Sequence, residues 1–298
     1  MIKTVKKFKS VKASRLTSTI FSYITLGILS IIWLYPILWI LLSAFRVEYR
    51  DGNLITTVVG NYIPKGLGLE NFRILFENPT GNNPFIQWFI NTLIVSLFTF
   101  ILSTLFTLSV AYVMSKLRFP MRKKFLSIAI ILGLFPGFMS MIAIYYILKA
   151  ISLTGTLYAL ILVYSAGAGL GFYVAKGFFD IIPNSLMESA RLDGATNSQI
   201  FTKIVLPLSK PIIIYTALLS FIGPWMDFIF AKVILGTNRQ MYTVAVGLYE
   251  MMYGEQVSSS QFTVFAAGSV IVAIPIVTLF LSMQKYYVEG VTAGAVKG

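Results

Sequence analysis

The sequence predicts an all-α membrane protein with six transmembrane helices. Apolar residues make up 57% of the 298 residues and charged residues only 12%, whereas about a quarter of the residues in a soluble domain are charged. The mean hydropathy is correspondingly high, at +0.80. The apolar residues also fall into six separate segments, each near the length of about 20 residues with which a helix crosses a bilayer. Together these observations indicate a chain built to lie in lipid.

The six apolar segments set the predicted order of the membrane helices. We place the spans near residues 20–44, 86–115, 125–148, 153–175, 211–233 and 262–284. Basic residues precede the first segment, as in a secretory signal, but its apolar stretch is longer than that of a typical signal and no clear A-x-A site follows it. We therefore expect a basic N-terminal segment (1–19), one six-span membrane domain (20–284) and a tail (285–298).

Lysine and arginine residues predict the orientation of the spans. Most of the 24 lie in the N-terminal segment, in the connections between the second and third and between the fourth and fifth spans, and in the tail. Since basic residues accumulate on the cytoplasmic side of a membrane, both termini are predicted to be cytoplasmic. Residues 46–84 and 234–261 are then outer loops, and the connection that contains residues 183–207 faces the cytoplasm.

Several kinds of chemistry are excluded by what the sequence lacks. Cysteine and histidine are absent, which excludes disulfides, thiol chemistry and the usual Cys/His zinc sites and removes the commonest general base. No G-x-x-x-x-G-K-[ST] motif occurs, so the chain carries no P-loop for ATP. We therefore predict no catalytic residue, no metal site and no cofactor. The net charge of +13 does not predict nucleic-acid binding, because the cations lie between apolar segments rather than on one polar face.

A polar segment, residues 183–207, interrupts the apolar sequence between the fourth and fifth spans. Two capping boxes, Ser185–Glu188 and Thr196–Gln199, each predict the start of a short helix. Gly194 between them can adopt a left-handed conformation at low steric cost and end the first helix, and Leu206-Pro207 is expected to close the second. The polar segment is therefore predicted to be a helix–turn–helix exposed to water. Taken singly, the same residues also suit ordinary capping and turn roles.

The polar segment also carries a longer pattern, E-A-A-x-x-x-G followed by I-x-L-P, with serine as the second residue. The matching residues are Glu188, Ser189, Ala190, Asp193, Gly194, Ala195, Ile204, Leu206 and Pro207. In this pattern the chain resembles the permease subunits of ATP-binding-cassette (ABC) importers. The resemblance implies that these residues contact a separate ATPase subunit and pass its movement to the membrane helices. Ser189 stands where alanine is usual and is small enough to pack similarly.

Residues 284–298 carry a second pattern, Q-[KR]-x-x-V-x-G-[LV]-T-A-G-x-V-K-G. By composition alone these residues would be a flexible end. The pattern closely resembles the end of the MalG-like carbohydrate permeases, and the similarity extends to residues 71–72, 117–120 and 242–247. The resemblance implies the six-helix type I ABC importer permease (MetI-like) architecture. It also implies a tail that contacts the ATPase dimer through Gly290, Thr292, Ala293, Gly294 and Lys297.

The function that the resemblance implies is that of the permease subunit of an ATP-driven, binding-protein-dependent oligosaccharide importer in a bacterial cell membrane. The implied partners are a second similar permease, two cytoplasmic ABC ATPase subunits, an extracytoplasmic sugar-binding protein, membrane lipid and the oligosaccharide. Maltose and maltodextrins come first, with galacto-oligosaccharides and raffinose-type sugars also open. The main alternative is an ion-coupled secondary sugar transporter, which would carry paired intramembrane charges and often an inverted second half. A membrane-embedded enzyme would need a catalytic cluster, which this sequence without histidine or cysteine does not offer.

Asp227 is the clearest ionisable residue within a predicted span. A carboxylate in hydrocarbon costs about 2.5–3.5 kcal/mol on insertion scales, so Asp227 is expected to face a cavity or a partner. Two interpretations are open. Asp227 is a translocation-pathway residue with Trp225 beside it, or it has a structural role, as the partner in an interhelical hydrogen bond or in a pair with Lys232 near the outer interface. Gly223-Pro224 is expected to bend or unwind the helix just before Asp227.

The outer loop 234–261 is a further candidate contact region. In the MalG-like family the loop before the last span reaches into the external binding protein. This implies docking residues in the loop at Tyr249, Gln256 and Ser258. In the same family the partner permease makes most of the direct sugar contacts.

Overall fold

The computed structural model describes residues 2–50, 52–57, 61–77, 83–167, 171–254 and 261–293, without the side chains of residues 2–15, 50 and 285–293. The described chain is mostly helical, which confirms the predicted all-α class. Its β structure is one hairpin, in which Tyr49–Arg50 (β1) pairs antiparallel with Asn53–Leu54 (β2), and one isolated bridge between Arg46 and Leu67.

Fourteen α-helices occur in the described ranges. Their bounds are α1 Ile2–Ala44, α2 Glu70–Glu77, α3 Phe85–Lys116, α4 Arg122–Gly133, α5 Gly137–Ala150, α6 Leu157–Ala166, α7 Gly171–Asp180, α8 Asn184–Leu192, α9 Asn197–Ile200, α10 Leu206–Leu208, α11 Lys210–Met226, α12 Ile229–Leu235, α13 Val244–Tyr253 and α14 Phe262–Ala293. A π-helical segment, Phe201–Val205, joins α9 to α10. A 3₁₀ turn, Arg239–Met241, precedes α13.

Four to six parts of the described chain are long and apolar enough to cross a membrane. Four candidates qualify directly: Leu16–Ala44, Phe85–Lys116, Leu157–Asp180 and Phe262–Gln284. Two more are bent helix pairs, α4 with α5 at 100° and Asn197–Leu208 with α11 at 88°. Counting each bent pair as one span gives the six that the sequence predicts.

The third predicted span, residues 125–148, is broken near its middle. α4 ends at Gly133 and α5 begins at Gly137, with Pro136 between them in an extended conformation (φ −57°, ψ 123°). Proline has no N–H for the helical hydrogen bond, and its ring clashes with the carbonyl four residues back. The chain therefore turns through 100° here, where one continuous helix was predicted.

The fifth predicted span, residues 211–233, also consists of two helices. α11 continues through Gly223-Pro224 and ends at Met226, so the predicted bend before Asp227 is wrong. The break lies at Asp227 itself, whose backbone is extended (φ −80°, ψ 113°). The Asp227 carboxylate accepts a hydrogen bond from the Phe230 N–H at 3.1 Å. This bond stabilises the start of α12 and places the break after the proline.

Residues 1–75 and 259–270 form the first of two compact units. Its core holds a buried ion pair, in which Arg46 Nη1 donates to Glu48 Oε1 at 2.7 Å. The same carboxylate oxygen accepts from the backbone N–H of Lys65 at 3.0 Å. Because an unpaired charge is costly inside a protein, these contacts fix the chain immediately after α1.

Asn71 ties three parts of the first unit together. Its Nδ2 donates to the carbonyls of Ala44 (3.1 Å) and Arg46 (2.7 Å), and its Oδ1 accepts from the Thr263 hydroxyl (2.8 Å). Asn71 is fully buried, so these bonds satisfy a polar group that water cannot reach. The predicted outer loop 46–84 is therefore largely folded structure.

Residues 76–258 and 271–298 form the second unit, which is organised around α3. Helices α6, α7 and α11 pack along it. The buried residues of α3 include a row of hydroxyl residues three or four positions apart, namely Thr92, Ser96, Thr99, Ser103 and Thr107. Small side chains at such spacing let helix backbones approach closely. The Ser220 hydroxyl of α11 donates across this contact to Ser103 Oγ at 3.0 Å.

In the predicted outer loop 234–261, residues 234–254 are likewise folded and pack on the start of α3. Trp88 Nε1 donates to the Arg239 carbonyl at 2.9 Å, and Asn91 Nδ2 donates to the Tyr242 carbonyl at 3.0 Å. Trp88 and Asn91 are buried. The 3₁₀ turn and α13 are thus held against the membrane helix rather than free.

Candidate functional site

The first helix of the polar segment begins two residues earlier than the predicted capping box requires. α8 starts at Asn184 after Pro183, and no side chain caps it. Ser185 therefore lies inside the first turn, and the predicted box between Ser185 and Glu188 is wrong. Pro183 has an extended backbone (φ −58°, ψ 132°), which its ring favours. This conformation decides where the helix starts.

The turn after α8 has the predicted left-handed glycine. Gly194 has φ +84°, its N–H donates to the Arg191 carbonyl at 3.0 Å, and the Ala195 N–H donates to the Ala190 carbonyl at 2.9 Å. Two bonds in this arrangement form a Schellman motif, which satisfies the carbonyls at the end of a helix. Asp193 is the last residue before the glycine. The motif fixes the angle between the two helices of the polar segment.

The second capping box is present as predicted. The Gln199 N–H donates to Thr196 Oγ1 at 3.3 Å, and the Thr196 N–H donates to Gln199 Oε1 at 2.8 Å. The helix ends at Leu208, one residue after the predicted close at Leu206-Pro207, and it includes the π-helical segment between α9 and α10. Proline lacks the N–H that would bond to the carbonyl four residues back. The wider π-helical bonding just before it, from the Leu206 N–H to the Phe201 carbonyl, accommodates this loss.

One side of the polar segment is buried against the end of α3. Met187, Ile200 and Val205 are at most 2% exposed and pack in one apolar cluster with residues of α3 and α7. The Tyr112 hydroxyl of α3 donates to the Asn197 carbonyl at 3.1 Å. The polar segment is therefore fixed to the membrane helices and not free to move independently of them.

The residues of the predicted ATPase contact divide between two faces of the polar segment. Those that are exposed are Glu188, Ser189, Asp193, Gly194 and Pro207. Those that are half-buried beside the apolar cluster are Ala190, Ala195, Ile204 and Leu206. The first group is accessible to another molecule, and the second group packs against the cluster that includes α3.

Leu192 is an exposed apolar residue that the sequence pattern misses. It is the last residue of α8, and 90% of it is exposed. Full burial of a leucine side chain contributes about 1.5–3 kcal/mol, so Leu192 is suited to anchor a partner at the turn. Its signal in the sequence is weak because a single leucine in an amphipathic helix normally predicts a core position.

A cavity of about 470 Å³ lies between α3, α5, α6 and α11 in the second unit. Its lining includes small hydroxyl residues from three of these helices, namely Thr99, Ser103, Thr107, Ser140, Thr216 and Ser220. The hydroxyls of Thr99 and Thr107 have no hydrogen-bond partner within the described ranges. Pockets for small molecules usually measure about 300–1,000 Å³. The cavity is thus large enough for a small polar molecule, and its hydroxyls offer both donors and acceptors.

Asp227 lies on the wall of this cavity. Its Oδ2 accepts a hydrogen bond from the Tyr164 hydroxyl at 2.5 Å. Lys232 does not pair with Asp227, since its ammonium group contacts Glu250 Oε1 at 2.6 Å instead. The Lys232 pair is therefore wrong, whereas the predicted interhelical hydrogen bond is present in the contact with Tyr164 of α6, and Asp227 lines the cavity as well. No group of three or more Asp or Glu residues that could hold a metal ion occurs in the part of the chain that the structure describes.

Trp225, predicted beside Asp227 as a pathway residue, is not among the residues that line the cavity. It is 3% exposed and packs edge-on against Phe89, with the ring centroids 5.2 Å apart. Side chains two positions apart near a helix end point to different sides of the helix. Asp227 and Trp225 therefore meet different neighbours.

The remaining predicted contact residues are only partly described. Tyr249 of α13 is 42% exposed and packs against Phe228, with ring centroids 4.2 Å apart. Four residues lie outside the described ranges: Gln256 and Ser258 of the docking prediction, and Gly294 and Lys297 of the tail prediction. α14 continues past residue 284, and its backbone includes the tail residues Gly290, Thr292 and Ala293.

Known proteins resemble this chain over most of its length. A family model described as the binding-protein-dependent transport system inner membrane component matches residues 108–292. The galactooligosaccharides transport system permease protein GanQ of Bacillus subtilis (strain 168) is 36% identical over 289 residues, covering 96% of this chain and 98% of GanQ. The maltodextrin transport system permease protein MdxG of the same strain is 32% identical over 286 residues, with coverage of 96% and 98%. The maltose/maltodextrin transport system permease protein MalG of Vibrio vulnificus (strain YJ016) is 33% identical over 281 residues, with coverage of 89% and 93%.

A solved structure shares the fold. It is the crystal structure of a bacterial alginate ABC transporter in complex with an alginate pentasaccharide-bound periplasmic protein. One of its chains matches with a TM-score of 0.61 at 17% identity, covering 90% of this chain and 95% of that chain. At this identity the likeness concerns the fold alone, and it supports the predicted six-helix architecture.

Proposed function

The chain belongs to the family of binding-protein-dependent transport system inner membrane components, and from this premise we propose that it is the permease subunit of an ATP-driven oligosaccharide importer. It forms half of the translocation pathway and catalyses no reaction itself. The observation that carries the proposal is the polar segment, a helix–turn–helix attached to α3 on one side and presenting the Gly194 turn and Leu192 on the other.

The polar segment is continuous with a helix that lines the cavity. After α10 the chain bends by 88° into α11. Thr216 and Ser220 of α11 line the cavity, and Asp227 follows at its end. A movement imposed on the Gly194 turn would therefore be carried along α11 to the cavity wall. Rigid-body movements of this kind can switch a site between two accesses, with the choice of state set by the energy of ATP binding to the partner.

Three kinds of partner complete the proposed importer. A second, similar permease supplies the other half of the pathway, two cytoplasmic ABC ATPase subunits bind the polar segments, and an extracytoplasmic protein delivers the sugar. The dependence on a binding protein is supported by the family to which the chain belongs. A separate ATPase is supported by the lack of a P-loop in this sequence. The distribution of basic residues supports cytoplasmic termini and a cytoplasmic polar segment.

We propose an oligosaccharide as the cargo. Relatives that cover almost all of this chain are named for galactooligosaccharide and maltodextrin transport. The cavity supports the same class, since hydroxyl groups, Tyr164 and Asp227 line it and together provide donors and acceptors for a polyhydroxylated molecule. Maltodextrins and galactooligosaccharides are therefore the first substrates to test.

Purification of the tagged chain in mild detergent, with partners identified by mass spectrometry, tests the ATPase contact. The unaltered chain is expected to recover an ABC ATPase and a second permease. Leu192→Glu is expected to recover the second permease but about tenfold less ATPase, because the charged side chain cannot be buried in the contact. Lys124→Gln changes an exposed residue outside the polar segment and serves as the control. Recovery of the chain without any ATPase would contradict the proposal.

The energy source separates the importer from the ion-coupled alternative. Uptake of labelled maltodextrin and galactooligosaccharide is measured in right-side-out membrane vesicles that contain the chain, its partners and the binding protein. We expect uptake to stop when ATP is depleted and to continue when the ion gradients are collapsed. The reverse result would favour a secondary sugar transporter.

A further inference from the structure

A second cavity, of about 700 Å³, lies at the end of α3 beside the polar segment. It is lined by the connection from α3 to α4 and by residues of α8 and α9. Its charged residues are the basic Lys116, Arg118, Arg122 and Arg191 and the acidic Asp180 and Glu188. The cavity therefore carries an excess of positive charge.

The two carboxylates do not neutralise this excess. Asp180 is already engaged, since its Oδ2 accepts from Lys176 Nζ at 2.6 Å and its Oδ1 accepts from the Ser115 hydroxyl at 2.6 Å. Glu188 is exposed and forms no ion pair with any residue that the structure describes. Because four basic residues face two acidic ones, the lining of the cavity keeps a net positive charge.

Two arginines line the cavity here, Arg118 in the connection from α3 to α4 and Arg122 at the start of α4. Lys116, beside them, directs its ammonium group to the Ile182 carbonyl at 2.6 Å. Arg118 is exposed and Arg122 is half-buried, and neither makes an ion pair within the described ranges. A guanidinium group presents several donors in a planar fork that matches the oxygens of a phosphate. The cavity thus holds unused donors of the kind that bind phosphate.

The start of α4 adds to the same positive charge. Its first turn contains Arg122, Lys123 and Lys124 with no acidic residue, and Met121 at the cap position makes no side-chain hydrogen bond. The N-terminus of a helix carries partial positive charge and free N–H groups, so basic side chains are unfavourable there and an anion is favourable. An anion in the cavity would relieve the repulsion among these groups.

We propose that this cavity binds a phosphate-type anion, and that its position favours the headgroup of an anionic membrane lipid as the source. α3 and α4 both belong to candidate spans, so the cavity lies where spans end, at the level of lipid headgroups. Basic pockets between membrane helices on the cytoplasmic side bind such headgroups. Because α8 and α9 also line the cavity, the anion would hold the polar segment to the α3–α4 connection. This effect on transport rests on the proposed function, whereas the binding itself does not.

Native mass spectrometry of the full chain in detergent, titrated with phosphatidylglycerol or phosphatidylcholine, tests the binding. The variant Arg118→Gln/Arg122→Gln removes two charges from the cavity. The control Lys203→Gln/Lys210→Gln removes the same charge from exposed residues that do not line it. Phosphatidylglycerol is expected to bind about 30-fold more weakly to the arginine variant and nearly normally to the control.

Further variants keep the test independent of folding. Arg118→Lys/Arg122→Lys keeps the charge and is expected to retain most of the binding. Arg118 is exposed, so Arg118→Gln alone is a second test if the double glutamine variant does not fold. The affinity of this single variant for phosphatidylglycerol is expected to be reduced about fivefold.

Titration with inorganic phosphate separates the two sources of the anion. Selective binding of phosphatidylglycerol that depends on the arginines supports the lipid headgroup. Arginine-dependent binding of inorganic phosphate without selective lipid binding supports a soluble phosphate in the same site. Equal losses of binding in Arg118→Gln/Arg122→Gln and in the lysine-to-glutamine control would reveal diffuse surface attraction and overturn the proposal. Equal affinity for the two lipids with no phosphate binding would overturn it as well. The measurement needs neither ATPase nor sugar, so its failure and a failed ATPase pull-down are distinguishable.

Discussion

A single backbone angle fixes the angle between the two helices of the polar segment. Gly194 has φ +84°, and a Cβ atom built on it meets no atom within 4 Å. The position therefore selects glycine by backbone conformation and not by lack of space. A left-handed conformation costs an ordinary residue about 1–2 kcal/mol, and asparagine tolerates it better than most.

Gly194→Ala is expected to weaken the turn after α8 by about 1 kcal/mol, and Gly194→Asn by less. The N–H groups of Gly194 and Ala195 close this turn, so their hydrogen exchange reports its opening. We expect exchange about fivefold faster in the alanine variant than in the unaltered protein. Exchange at the same rate in all three proteins would show that the left-handed angle contributes nothing to the turn.

Glu48 is a residue through which pH acts on the folded state. The hydrogen bond from the Lys65 N–H, followed by the charges of Arg46 and Lys65, holds the pKa of Glu48 below its ordinary value, although burial opposes this shift. Because the folded state lowers this pKa, the charged carboxylate stabilises the fold at neutral pH, and its contribution is lost as the pH falls through the lowered pKa.

Glu48→Gln is therefore expected to lower the midpoint of thermal unfolding at pH 7. The difference from the unaltered protein is expected to shrink as the pH falls below the ordinary pKa of a glutamate, about 4.3, and to disappear once the pH has passed the lowered pKa of Glu48. Thermal unfolding of both proteins in detergent, from pH 7 down to the acid end, measures this difference in midpoint. Asp193→Asn, at an exposed carboxylate of the polar segment, serves as the control. A loss of stability that is the same at pH 7 and at the acid end would exclude the carboxylate charge as its cause.

Residue positions were predicted correctly where the signal is local. The Thr196–Gln199 box and the left-handed Gly194 each depend on bonds within a few residues, so the sequence contains their whole cause. The Ser185 box failed although its pattern is as good, because Pro183 next to it sets the helix start. Leu192 was missed because its exposure depends on how α8 packs against α3, and no local sequence pattern determines that packing.

At the scale of elements, α13 packs on α3 through one close approach. A Cβ atom on Gly247 would lie 2.1 Å from Cε3 of Trp88. Trp88 is fully buried, and its indole N–H donates to the Arg239 carbonyl. The tryptophan therefore cannot move aside without losing that bond. Only a residue without a side chain fits at position 247.

Gly247→Ala is expected to destabilise the protein by about 1–3 kcal/mol, because an extra methyl group overpacks a filled contact. Gly177→Ala in α7 is the matched control, since a Cβ atom there meets no atom within 4 Å. It is expected to be neutral or slightly stabilising. Thermal unfolding of both variants in the same detergent makes the comparison. If the two alanines had equal effects, the contact with Trp88 would not limit the packing.

Hydropathy predicted where the spans lie but not where they break. Proline alone does not mark a break, because Pro36 and Pro275 lie inside the continuous helices α1 and α14, and Pro224 lies inside α11. Pro136, by contrast, separates α4 from α5. Neighbouring helices can compensate for the bond that a proline removes. The break at Pro136 therefore depends on tertiary contacts that the sequence does not display.

At the scale of the whole molecule, the sequence predicted the class and the number of spans, because both follow from how apolar and basic residues are segregated along the chain. It did not predict the two cavities. The cavity that holds Asp227 is lined by residues from Thr99 to Phe230, so it exists only once helices distant in sequence have packed. Trp225 shows the same limit of prediction from sequence, since it lies two residues from Asp227 in the chain but outside the cavity.

The two ends of α11 have different roles in the proposed importer. Leu192→Glu tests the contact with the ATPase at one end, and a substitution of Asp227 tests the cavity at the other. The helix begins directly after the polar segment and ends beside Asp227, which accepts a hydrogen bond from Tyr164 at 2.5 Å. Asp227→Asn keeps the shape of the side chain and removes its charge. We expect oligosaccharide uptake to fall about tenfold, the value of one hydrogen bond to a charged group, with recovery of the ATPase unchanged.

Asp227→Asn leaves a weaker hydrogen bond, from the Tyr164 hydroxyl to a neutral amide oxygen, and Tyr164→Phe removes the bond altogether, so the loss of uptake in Tyr164→Phe is expected to be at least as large. The double variant is then expected to be little worse than either single one, because residues that act through one contact are not additive. Uptake in vesicles and recovery of the ATPase are measured together for all three. Additive losses would mean that Asp227 and Tyr164 act separately. Normal uptake in Asp227→Asn would place the sugar path outside this cavity.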